Sequence, residues 1–155
     1  IAHNIAKLEK HVINGVEKEF IVHRKGATRA FGPGRPEIPE KYRSIGQPVL
    51  IGGSYGTASY ILKGTEESMN LAFGSTCHGA GRSISRQKAA RCLDEKVIQR
   101  QMRSKGIEIR AASKGTIIEE APETYKDVEQ VIEACEAVGA SKKVARLLPI
   151  GVIKG

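Results

Sequence analysis

Aromatic residues make up only 5% of this 155-residue chain, and tryptophan is missing altogether. Platforms on which single-stranded bases could stack are therefore sparse. Cysteine is scarce as well. Cys77, Cys92 and Cys135 form an odd set at wide spacing, which argues against a disulfide framework and suits a reducing compartment, so a cytoplasmic location is expected. No apolar run is long enough to span a bilayer, no signal-peptide pattern opens the chain, and no membrane partner is expected. The four histidines, His3, His11, His23 and His78, include no pair at His-x-x-x-His spacing, so no complete metal site is readable locally. Internal repeats are absent. Acidic residues are in deficit, 17 against 25 Lys and Arg, giving a net charge of +8. That balance favours polyanionic partners or reflects a solvated basic surface, and says nothing about fold.

What is present is enough for one ordinary domain with a real core: 40% hydrophobic and 27% charged residues. Ala6 to His23 reads as a β-hairpin turning at Asn14-Gly15, with His11 next to the turn and expected to be exposed. Residues 24–29 read as a basic loop that His23 could position, and Gly32 to Pro39 as a stretch without regular structure. Pro48 to Ile51 is expected as a buried strand, broken by Gly52-Gly53-Ser54-Tyr55-Gly56 and resumed from Ala58 to Leu62. Helices are expected from Thr65 to Phe73, Ser83 to Cys92 and Asp94 to Ser104, with Asp94 as an N-cap. A strand follows at 107–111. Tyr125 to Val138 is expected as an amphipathic helix stopped by Gly139, and Val144 to Ile153 as one final extended segment. The fold class these elements predict is α+β, a mixture of β-hairpins and sheet with flanking helices, in a single domain spanning 1–155.

The stretch Gly74-Ser75-Thr76-Cys77-His78-Gly79-Ala80-Gly81-Arg82 carries the most chemistry. A Gly-x-Gly turn lets backbone N–H groups approach an anion, and a helix start following it adds positive potential. His78 at that mouth could donate a proton, ligate a metal or attack phosphorus. The plain alternative is a turn histidine that hydrogen-bonds its neighbours. Cys77 points away from His78 on an extended chain and reads as packing. The upstream turn at 52–57 matches neither a P-loop nor a dinucleotide fingerprint, and alone reads as a strand bend. Lys154 follows the apolar run Leu147 to Ile153, which could hold it in the interior rather than leave it mobile. From spacing alone His3 reads as a strand-end polar residue.

Taken together these residues resemble the C-terminal part of the RtcB-type RNA ligases, the GTP-dependent ligases of tRNA splicing and RNA repair. The resemblance is carried in order by His3-Asn4-Ile5-Ala6, His23 to Arg29, Gly56-Thr57-Ala58-Ser59-Tyr60, Gly74 to Arg82, Glu120-Ala121-Pro122-Glu123-x-Tyr125-Lys126, and Val152-Ile153-Lys154-Gly155. It implies that His78 is the nucleophile that becomes guanylylated by GTP, and that GMP then passes to an RNA 3′-phosphate before a 5′-hydroxyl seals the strand. The implied partners are GTP and RNA, with tRNA exon halves as the substrate. Implied site residues are His3 for manganese; Asn4, Gly52, Gly53, Ser54, Tyr55 and Ser59 around GMP; Gly79, Ala80 and Gly81 at its phosphate or ribose; Tyr125 stacked on the base; and Lys154 at its polar edge. Lys25, Arg29, Arg82 and Arg86 are further candidates for RNA phosphates or the triphosphate. Two departures stand out. Tyr55 occupies a place where the family's turn has Met. The family's other manganese ligands, a cysteine and two histidines, belong to an N-terminal region outside this sequence, which the resemblance makes a missing partner. Two other readings of the residues remain: a non-catalytic basic module that binds RNA or nucleotide, and a phosphohydrolase using a phosphohistidine.

Overall fold

The computed structural model describes residues 4–154; His3 and its assignment to manganese lie outside the described residues. The fold is α+β. It opens with strands β1 (Asn4–Ile13) and β2 (Val16–Lys25), paired antiparallel from Asn4↔Lys25 to Ile13↔Val16. Asn14 and Gly15 turn the hairpin with φ of 51° and 77°, the two positive values that a two-residue turn matched to strand twist requires.

The hairpin is longer than expected, and its pattern is inverted. Leu8, Val12 and Ile21 are exposed, whereas Glu9, His11 and Arg24 are at most 5% exposed. The expectation that His11 is exposed is therefore wrong. Being close to a turn does not decide which face of the pleat a residue occupies, and alternation puts His11 on the same face as Glu9. The buried polar groups satisfy one another. Arg24 donates to both Glu9 carboxylate oxygens at 2.7 and 2.9 Å, and His11 Nε2 lies 3.1 Å from Glu9 Oε2. Arg24 also donates to the Phe73 carbonyl and to Ser75 Oγ, each at 2.8 Å. The His11 ring meets Phe73 and Phe31 edge-on. The hairpin is thereby anchored to the segment that leads into His78.

Part of the expected basic loop is a strand. β3 (Ala27–Arg29) pairs antiparallel with β6 (Ser75–Cys77), Ala27 opposite Cys77. Between them lie a short helix, α1 (Glu40–Arg43), then β4 (Pro48–Ile51), β5 (Ser59–Lys63) and α2 (Glu66–Ala72). α3 (Arg86–Cys92) and α4 (Glu95–Ser104) follow, begun by Ser85 and Asp94, whose side chains accept from Lys88 N and Val97 N. β7 (Glu108–Ala111) comes next, and then α5 (Lys114–Glu119), a helix that sequence patterning missed, capped by Ser113. A 3-10 turn over Pro122–Thr124 precedes α6 (Val128–Ala137). α6 starts three residues later than expected, because Asp127 takes the N-cap role by accepting from Glu129 N.

The final extended segment is two strands. β8 (Lys142–Leu147) joins the sheet ordered β4-β5-β8, and β9 (Gly151–Lys154) runs parallel to β7. Pro149, which has no N–H to give a ladder, lies in the break between them. Two apolar clusters hold these pieces: one of Val49, Ile51, Tyr60, Leu62, Val128 and Ile132 under the three-stranded sheet, the other of Tyr55, Ile98, Met102, Ile107 and Ile117 under α4 and α5. The site lies where they meet.

Candidate active site

His78 follows β6 directly, and its N–H donates to the Gly26 carbonyl at 3.3 Å. The next residue, Gly79, forms a parallel bridge with Gly52, so the two glycine-rich turns, distant in sequence, lie side by side. The 52–57 turn is tightly wound. A Cβ on Gly53 would come within 2.0 Å of the Ala58 carbonyl oxygen, so only glycine fits there. Gly53 N donates to Ser59 Oγ at 3.1 Å, Ser54 N donates to Thr57 Oγ1 at 2.8 Å, and the Ser54 and Thr57 hydroxyls are 2.9 Å apart.

A cavity of about 330 Å³ opens between the turns, lined by Gly52 to Tyr55, Thr57, His78, Gly79, Ala80, Glu120, Tyr125, Lys126, Val128 and Lys154. The candidates at 52–55, 78–80, 125 and 154 therefore converge on one space. A second, adjoining cavity of about 480 Å³ is lined by His78 to Arg82 with Gly26, Arg86, Glu120 and Tyr125. His78, Gly79, Ala80, Glu120 and Tyr125 face both, while Gly81, Arg82 and Arg86 face only the second.

Glu120, which sequence reasoning did not single out, ties the site together. Tyr125 donates to its Oε2 at 2.7 Å, Arg82 to its Oε1 at 2.6 Å, and Lys154 Nζ stands 3.8 Å from Oε2. Burial raises the pKa of Glu120, but the Tyr125 hydrogen bond and the charges of Arg82, Lys154 and Arg86 outweigh it and hold the carboxyl below its ordinary value. Burial and then the bond to Glu120 raise the Tyr125 phenol. The Arg82 guanidinium stacks over the Tyr125 ring at 4.8 Å and also donates to the Glu119 carbonyl at 2.6 Å. The signal was available, since Glu120 opens the stretch that ends in Tyr125-Lys126.

Tyr55 lines the cavity, but its side chain is 3% exposed and its hydroxyl donates to the Ile117 carbonyl at 2.7 Å; burial raises its pKa. Ser59 stands behind the turn and lines a neighbouring hollow with Leu147 and Lys154. Asn4 hydrogen-bonds His23 through its side-chain oxygen, and neither lines the two cavities at His78. Lys25 is exposed at the end of β2. Arg29 is engaged with Gln47 at 3.1 Å and lies over the Phe31 ring at 4.7 Å. Arg86 is exposed, 3.3 Å from Glu119. Among the described residues no group of three His, Cys, Asp or Glu converges as metal ligands, and no helix is long and apolar enough to cross a membrane.

The model of the family described as tRNA-splicing ligase RtcB matches residues 1–155. The protein named tRNA-splicing ligase RtcB from Methanococcus maripaludis is 56% identical over 155 residues, which cover all of this chain and 32% of that protein. The protein of the same name from Pyrobaculum aerophilum is 57% identical over 157 residues, again with all of this chain and 32% of its own length covered. The chain thus spans about a third of the length of the curated relatives it matches.

Proposed function

The chain belongs to the tRNA-splicing ligase RtcB family, and from that membership we propose that it carries the guanylylation chemistry of an RNA ligase. The ligase joins an RNA 2′,3′-cyclic phosphate or 3′-phosphate end to a 5′-hydroxyl end through a covalent histidine–GMP, as tRNA splicing and RNA repair require. The observation that carries this reading is the single cavity in which His78, both glycine turns, Tyr125 and Lys154 meet.

In the first step a ring nitrogen of neutral His78 attacks the α-phosphorus of GTP. The N–P bond forms, the bond to the β-phosphate oxygen breaks, and pyrophosphate leaves with that electron pair while the ring gives up its proton. In this reading, backbone N–H groups of the Gly79-Ala80-Gly81 turn receive the phosphoryl oxygens. Tyr125 supplies a flat surface for the base. The Lys154 ammonium suits guanine O6, an acceptor. An RNA 3′-phosphate oxygen then attacks the GMP phosphorus and releases His78, leaving a 5′-to-3′ pyrophosphate bridge on the RNA. The 5′-hydroxyl attacks the RNA-side phosphorus and GMP departs. A cyclic end is first opened by water. Manganese, when bound, neutralises phosphate charge and orients the triphosphate. The described residues do not form a site for it, so in this reading it rests on His3 and on ligands from the family's N-terminal region.

Incubation with α-labelled GTP and manganese tests the reading, on the chain alone and on the chain extended by the family's N-terminal region. The expected result is an acid-labile GMP adduct on the extended protein, lost in His78→Ala. Nucleotide binding without adduct on both would point instead to a binding module, and release of free phosphate to a hydrolase.

A further inference from the structure

Nearly all of the chain's net charge lies in one segment. From Arg82 to Lys114 there are ten Lys and Arg against three Asp and Glu, which is +7 of the total +8. α3 and α4 make up half of it. On α4, Ile98 and Met102 are buried in the second apolar cluster. Lys96, Arg100 and Arg103 are all exposed and fall at i, i+4 and i+7, a single stripe on the side away from Ile98 and Met102. Lys88 and Arg91 of α3 are exposed as well.

The stripe itself carries no carboxylate. An ordinary solvated helix face mixes both signs. Here Asp94 caps α4, Glu95 accepts from Gln99 at 3.0 Å and Glu108 is paired with Arg110. Among the described residues no carboxylate pairs with Lys88, Arg91, Lys96, Arg100 or Arg103. Of the cations in this segment, Arg86, the first residue of α3, lines the second cavity with His78.

We propose that the exposed cations of α3 and α4 form a track for the phosphates of an RNA strand leading away from the His78 cavity, with Lys96, Arg100 and Arg103 at its centre. This rests on the RNA-ligase reading and says where the RNA lies. The three side chains cover about 10 Å of helix, the span of roughly three successive phosphates at the ~3.4 Å spacing of a stacked strand. Contacts of this kind position a strand without reading its bases, which agrees with the scarcity of aromatic side chains. An anionic membrane is the poorer match. A membrane-surface helix sets a broad apolar face beside its cations, whereas Ile98 and Met102 of α4 are committed to the core and only Val97 is exposed.

The test is fluorescence anisotropy with a single-stranded RNA bearing a 3′-phosphate, at salt concentrations from 0.05 to about 0.5 M, on the extended protein. Lys96→Gln/Arg100→Gln/Arg103→Gln is compared with Lys7→Gln/Lys18→Gln/Lys142→Gln, which removes the same charge from exposed positions elsewhere. Three lost phosphate contacts reduce the salt slope by about 2 and weaken binding about a hundredfold at 0.1 M salt; the control loses much less. Equal losses in the two variants, or loss of binding to phosphatidylserine vesicles in place of RNA, overturn the track. The GMP adduct is followed in the same samples. Adduct with no selective RNA loss removes the track and leaves the ligase reading standing. Selective RNA loss with no adduct in any sample does the reverse.

Discussion

The buried carboxylate Glu9 shows how one residue can govern an element. Its side chain is 3% exposed and meets Arg24, also buried, through two hydrogen bonds. Burial raises its pKa, but Arg24 and His11 more than offset this, so the folded value lies below the ordinary 4.5. A depressed carboxylate contributes stability above its unfolded pKa and loses it as pH falls through the folded value. The urea midpoint is therefore expected to drop as pH is lowered below about 4.5. Glu9→Gln should flatten that dependence while costing about 3–5 kcal/mol near neutral pH, because the Arg24 charge is left buried without its partner. A midpoint in Glu9→Gln that still falls as in the parent would show that other carboxylates dominate.

Cys77 and Cys135 interact with one another, which lowers the pKa of Cys135 and raises that of Cys77. Iodoacetamide at neutral pH, followed by peptide mapping, should label Cys135 faster than Cys77, and Cys77→Ala should slow Cys135. Equal rates would show that the pairing does not persist in solution. At Glu120, replacing the carboxylate by Gln keeps an acceptor oxygen but removes the negative charge beside the Tyr125 hydroxyl. Ultraviolet titration should then show the Tyr125 phenol ionising at lower pH than in the parent, with the comparison anchored by Tyr125→Phe.

At the scale of elements, the legibility of the sequence was uneven for physical reasons. Helices announced by a capping side chain, α2 and α4, are readable almost to the residue, since Thr65 and Asp94 mark their starts. α5 is not, because six residues containing a glycine show too little periodicity, and only Ser113 announces it. β3 looks like loop in the sequence because its partner β6 is remote and a three-residue strand has no pattern of its own. His78, Tyr125 and Lys154 could be grouped by family resemblance, but composition and spacing could not bring them together. That grouping depends on the Gly52–Gly79 bridge and on β9 leaving β8 to pair with β7. The bridge depends in turn on the tight 52–57 turn. Gly53→Ala should push Ala58 aside, break the Gly53–Ser59 hydrogen bond and lower the Tm. Gly81→Ala is the control, because a Cβ there meets nothing within 4 Å. Equal Tm values for the two variants would mean that the turn accommodates a side chain.

Across the whole molecule, apolar surface is distributed in a way the core alone does not explain. Leu8 and Ile21 sit opposite each other in the hairpin register and are 64% and 74% exposed, while the other face of the same hairpin buries charge. Ile150 and Ile153, at the far end of the chain, are both 86% exposed. Scattered apolar residues on a surface are ordinary, but directly paired ones on a strand face make a patch that gains by being covered. The hairpin is also only two strands wide and relies on the Arg24 anchor rather than on an apolar face of its own. The chain is therefore expected to associate as its concentration rises, with the hairpin's outer face contributing. Leu8→Lys/Ile21→Lys should shift sedimentation toward the monomer and reduce binding of an apolar dye, with little change in Tm because neither side chain is buried in the monomer. If the double variant associates as the parent does, the exposed residues of β8 and β9 become the surface to alter, and the hairpin face is not what draws the copies together.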